Sequence, residues 1–126
     1  MNHQYMSFTR NSPNLVLKRL SPEYIFPFEY HSRVYDNIFE AYNYFAKRER
    51  IIQDIFMEEI IMARAEQDQI FYNLLVNISK HDIPFYFIDS DPNWGCDKNF
   101  QGLNGLGKLY TLIGKNLNEA IRYNRD

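Results

Sequence analysis

The spacing of apolar positions changes along the chain, and each change marks an element. From Ile38 onward they recur at helical intervals, putting Ile38, Tyr42 and Phe45 on one face, with Asn37 before them as an N-cap. The same rhythm runs through "RIIQDIFMEEIIMARAEQDQIFYNLLVNISK" (50–80), where Ile51, Ile52, Phe56, Ile60 and Met62 form one stripe. Ile70, Leu74, Leu75 and Ile78 form a second, so two core-facing helices with a break near Ala65 are predicted. Pro84 ends this block, and "FYFI" (85–88), short, apolar and aromatic, reads as a buried strand. "DSDPNWGCDKNFQG" (89–102) is a loop rich in turn residues. A helix over 104–113 follows, then a last one from Asn116 with Glu119 as its capping-box partner.

Nearer the N-terminus, "NLVLKRL" (14–20) reads as a short first strand and "FEYHSRVY" (28–35) as a hairpin turning at His31-Ser32. With no repeat or linker to divide residues 1–126, the expectation is a single α+β domain, mainly helical, with a small sheet. Ten Tyr and ten Phe beside a single Trp imply a core padded with rings, in which each buried tyrosine hydroxyl needs a partner.

Charge and cysteine content narrow the chemistry. A net charge of −2 argues against a broad electrostatic grip on nucleic acid, and the basic "KRER" (47–50) reads as a solvated helix end. Cys96 stands alone, which excludes an intrachain disulfide and a cysteine-rich metal site; His3, His31 and His81 are scattered, so neither metal nor other cofactor is expected. The N-terminus lacks the apolar stretch of a signal peptide and no run is long enough to span a bilayer, so a cytoplasmic protein without membrane contact is expected.

"GLNGLGKLY" (102–110) has the G-x-x-x-x-G-K spacing of a phosphate-binding P-loop. Three requirements fail together. Leu109 stands where the loop needs a metal-binding hydroxyl, the preceding "DPNWGCDKNFQ" cannot be a buried strand, and too little chain follows to complete a parallel sheet. What survives is a set of glycines that permit close backbone approach, a helix N-terminus whose N–H groups suit an anion, and the charge of Lys108.

Two stretches then combine. In "YDNIFEAYNYFAK", Glu40 and Lys47 are seven residues apart on one helix face, with Tyr44 between them. In "DPNWGCDKNFQGLNGLGK", Asp91 stands three before Trp94-Gly95, and Gly102, Asn104, Leu106, Gly107 and Lys108 follow. Together these resemble the NADAR (YbiA-like) family, which carries E-x-x-x-x-x-x-K on a helix, then D-x-x-W-G and G-x-N-x-L-G-K. The resemblance spans roughly residues 20 to 115. The chain departs from it at Ala41, where the family often has His, at Tyr44 in place of a frequent Gln, at "SPEY" (21–24) and at Gly114, where a closing Arg is usual.

The resemblance implies hydrolysis of an N-glycosidic bond to ribose, in a ribosylamino-pyrimidine phosphate or in ADP-ribosylated nucleic acid. Glu40, Lys47 and Asp91 would be catalytic: one carboxylate facing the positive charge that builds at C1, the other protonating the departing base or activating water. A neutral Lys47 would instead attack the opened ribose as an amine. Trp94 would offer a flat face to a base, with Tyr44, Gly95, Gly102, Asn104, Gly107 and Lys108 completing the substrate site. The competing expectation is a catalytically weak module that sequesters a nucleotide or contacts a protein partner. Small size and shortened loops would suit a viral or phage version.

Overall fold

Asn37 opens the helix that carries Glu40, Tyr42 and Tyr44. In the computed structural model, which describes residues 4–46 and 53–123, the Asn37 side chain accepts the Glu40 N–H at 2.8 Å, and the Glu40 carboxylate accepts the Asp36 N–H at 2.9 Å. This reciprocal cap starts α2 (Ile38–Ala46), whose buried face is Ile38, Ala41 and Tyr42 with Phe45 packed beside it. The hairpin before it is β2 (Phe28–Tyr30) and β3 (Arg33–Tyr35), paired antiparallel with Phe28 opposite Tyr35. His31 (φ 52°) and Ser32 (φ 61°) both adopt the left-handed conformation that a tight two-residue turn requires, without the usual Asn-Gly.

The long helical block divides into α3 (Gln53–Gln67) and α4 (Gln69–Ser79), broken at Asp68, three residues beyond the predicted point. Asp68 is the N-cap of α4 and accepts the Phe71 N–H at 3.2 Å. Ile51, Ile52 and the basic 47–50 segment lie outside the described residues. Phe56 and Met62 pack partly buried and Ile60 fully; Ile70, assigned to the second stripe, is instead half exposed, because Phe71 turns inward in its place.

Two other expectations need correcting. Residues 14–20 are not a strand: α1 (Leu15–Leu20) forms because Asn14 accepts the Val16 and Leu17 N–H groups, and of its apolar residues only Leu20 is fully buried. The first strand is β1 (Met6–Phe8), which pairs parallel with β4 (Phe85–Phe87), Phe8 opposite Phe87. The two C-terminal helices are one, α5 (Gly105–Tyr123). Gly114 does not stop it. A Cβ there would lie 2.7 Å from the Leu75 carbonyl oxygen, so the missing side chain lets α5 close onto α4.

The result is a single α+β domain: two two-stranded sheets among five helices in the described residues. Rings fill its centre. Phe8 stacks on Phe87 (5.3 Å) and on Tyr110 (5.2 Å), and the fully buried Tyr110 hydroxyl donates to the Leu20 carbonyl at 2.7 Å. No described helix is long and apolar enough to cross a membrane.

Candidate functional site

The D-x-x-W-G turn is held from within. The Asp91 carboxylate accepts the N–H groups of Asn93 (2.8 Å) and Trp94 (3.2 Å), and its carbonyl accepts the Gly95 N–H (2.9 Å). Behind it, Arg10 reaches across the fold to grip Asp89 with two hydrogen bonds of 2.8 and 3.0 Å, while its guanidinium lies over the Phe39 ring and also pairs with Glu23. Asp89 in turn accepts the Asp91 N–H at 3.1 Å. Arg10 holds the Asp89 carboxyl below its ordinary range, against the opposing effect of burial. Arg10 therefore anchors the turn that carries Trp94, a role that no local motif announces.

Trp94 is half-buried. Its ring meets Tyr42 of α2 edge-on at 5.1 Å, and the two side chains share a hydrogen bond. Burial raises the Tyr42 hydroxyl pKa, the bond to Trp94 lowers it, and the charges of Asp54 and Asp91 raise it further. The indole also packs against Gly105, where a Cβ would come within 2.9 Å of the ring.

The glycine-rich turn acts chiefly inward. Asn104, in the left-handed conformation (φ 50°), is buried between α5 and β4. Its side chain accepts the Phe87 N–H at 2.9 Å and donates to the Phe85 carbonyl at 3.0 Å, standing in for a neighbouring strand. Gly107 is required by this arrangement, since a Cβ there would fall 2.4 Å from both the Asn104 Oδ1 and the Phe85 carbonyl oxygen. Gly95 and Gly102 likewise allow two backbone segments to touch: a Cβ on Gly102 (φ +131°) would lie 2.7 Å from the Gly95 carbonyl oxygen.

The expected anion site at the start of this helix is closed. The N–H groups of Asn104, Gly105 and Leu106 donate to the carbonyls of Gly95, Asn93 and Trp94 at 2.9–3.0 Å. Lys108 supplies the positive charge alone. Its side chain is exposed and has no ion pair among the described residues, and it stands where two clefts meet. One, of about 470 Å³, is lined by Asp54, Asn93, Trp94, Leu103, Gly105 and Lys108. The other, of about 490 Å³, runs along β4 past Gly102, Asn104 and Lys108 to Lys115.

The structure thus brings Trp94 and Lys108 to one cleft, with Asp91 shaping its wall. Glu40 does not line that cleft. It is exposed, capping its own helix, and stands two residues before Tyr42, about 200° round α2 from the side that meets Trp94. Tyr44 is turned away by the same angle and packs against Tyr35 and the Arg33 guanidinium. Lys47 lies outside the described residues. Asp54 and Asn93 were missed from sequence. Asn93 was hidden among turn residues, and Asp54 joins the cleft only through the packing of α3.

The fold is that of the E. coli protein YbiA, solved by NMR. The two superpose with a TM-score of 0.69 at 14% identity, over 97% of this chain and 88% of the other. No family model matches the chain, and no curated protein matches it in sequence.

Proposed function

We propose that this chain is a hydrolase of N-glycosidic bonds to ribose, of the NADAR type, acting on a phosphate-bearing, nucleotide-derived substrate. The observation that carries the reading is the cleft in which Trp94 and Lys108, from the two C-terminal motifs, meet within a YbiA-like fold. In the reaction, the C1–N bond breaks as water adds at C1, the base leaves with a proton, and positive charge builds on the sugar ring. Asp91, in the wall of the cleft, is the acid of this reading and Lys47 its amine; Glu40, turned away from the cleft, has no part in it. Lys108 holds the phosphate and Trp94 contacts the base. The substrate is a ribosylamino-pyrimidine phosphate or ADP-ribosylated nucleic acid.

A second reading, a binding module without turnover, is favoured by one observation. Both the Asp91 and the Glu40 carboxylates already accept backbone N–H groups, so each is committed to shaping the chain. Incubation with ribosylamino-pyrimidine phosphate and with ADP-ribosylated DNA, followed by detection of the released sugar, separates the two. The enzyme reading predicts release from one of them, about 100-fold slower in Asp91→Asn with binding retained, since Asn keeps an oxygen for the turn but loses the charge. Binding without release by the unaltered protein would establish the module instead.

A further inference from the structure

Of the acids around Trp94, Asp54 alone is uncommitted. Asp91 accepts two N–H groups of its own turn, Asp89 is gripped by Arg10, and Glu40 caps α2. Asp54, in the first turn of α3, has neither a hydrogen bond nor an ion pair among the described residues, yet lines the cleft with Trp94 and Lys108. Its charge reaches Tyr42, the ring that supports Trp94. The cleft therefore carries an acceptor-only group and a donor-only cation with an aromatic wall between the elements that bear them.

A ligand complementary to that lining has hydroxyl donors at one end, an anion at the other and a flat group beside them. A nucleoside monophosphate has this layout. A carboxylate with two free oxygens is the usual partner for the vicinal hydroxyls of ribose, each of which donates to it. We propose that Asp54 is the ribose-recognition residue of this cleft, selecting ribosyl over 2′-deoxyribosyl ligands while Lys108 takes the phosphate. This rests on the functional reading above and specifies which sugar that site accepts. Asp54 is here a specificity-determining residue, with no part assigned to it in bond breaking.

The single tryptophan makes the test direct, because the one indole of the chain lies in the wall of the cleft. The unaltered protein, Asp54→Ala and Lys108→Ala are titrated with adenosine 5′-monophosphate and with its 2′-deoxy analogue. The unaltered protein is expected to bind the ribose form about tenfold more tightly, one charge-assisted hydrogen bond being at stake. Asp54→Ala should weaken the ribose form about a hundredfold and the deoxy form, which keeps its 3′-hydroxyl, about tenfold, abolishing the preference; since Asp54 is exposed, the circular dichroism and melting should barely move. Lys108→Ala should weaken both nucleotides alike. Equal binding of the two nucleotides by the unaltered protein, or an undiminished preference in Asp54→Ala, would overturn the role of Asp54 while leaving the cleft as the binding site. Binding of neither nucleotide would overturn this role together with the functional reading beneath it.

Discussion

Asn104→Ala is expected to lower the free energy of unfolding by about 3–5 kcal/mol, with the slope against denaturant unchanged. The Asn104 amide bonds both the Phe87 N–H and the Phe85 carbonyl, and both hydrogen bonds are buried. Removing it leaves one donor and one acceptor of β4 unpaired, at about 1–3 kcal/mol each. Alanine must also adopt φ 50°, which asparagine tolerates and alanine resists by about 1 kcal/mol. Asn104→Asp should fall between the two proteins, because a carboxylate keeps an acceptor for Phe87 but sets oxygen against oxygen at Phe85. Urea unfolding of the three proteins checks the order, and a loss under about 1 kcal/mol in Asn104→Ala would mean that β4 is held by other means.

The second large effect lies on the far side of the core. Arg64 is fully buried, donates to Asp68 through Nε (3.0 Å) with its Nη2 2.9 Å from the same carboxylate oxygen, and donates through Nη2 to the Arg19 carbonyl at 3.1 Å. Its guanidinium lies 4.4 Å over Phe71, with Tyr24 and Phe26 alongside, and its Nη1 has no hydrogen-bond partner. Arg64→Met would leave the Asp68 carboxylate, 2% exposed, facing only the more distant Arg19 at 3.8 Å. Stranding such a charge costs about 3–5 kcal/mol. Adding Asp68→Ser removes the charge but keeps an oxygen to cap α4, so the double variant should recover more than half of the loss. If the double variant is no more stable than Arg64→Met, the cost lies in ring packing, and the buried ion pair is not its source.

These two sites show what could and could not be read in the residues. The hairpin at His31-Ser32 and the Asn37 cap were legible because each depends on neighbours within a few residues, and β4 because its short apolar, aromatic run is itself a local signal. The apolar run at 14–20 favours a strand, but the Asn14 cap decides for α1. The strand β1 left no local trace, since what makes Met6–Phe8 a strand is its pairing with residues nearly eighty positions later. Gly114, where the resembled family usually has Arg, is explained by the approach of the Leu75 carbonyl, which no local pattern shows.

The candidate site divides in the same way. Trp94, Lys108 and the turn residue Asp91 stood out by motif. The motif could not say that Asn104 and Gly107 face inward, joined as one packing unit, nor that the α5 N–H groups are already taken by the Trp94 turn. Arg10 lies 79 positions before the Asp89 it grips and Asp54 lies far before the Trp94 and Lys108 whose cleft it shares, and nothing near either in sequence marks it. Close spacing predicts turns and caps; a cleft assembled from α3, a loop and α5 depends on packing, which the spacing does not encode.

The most direct measurement of the central claim is an NMR titration that follows the one indole N–H resonance of the chain while ADP-ribose is added. The account predicts a saturable shift of the Trp94 signal, accompanied by the backbone signals of Asn93, Leu103 and Gly105 and much weakened in Lys108→Ala. A Trp94 signal that stays fixed while resonances elsewhere move, or that responds equally with and without Lys108, would contradict it.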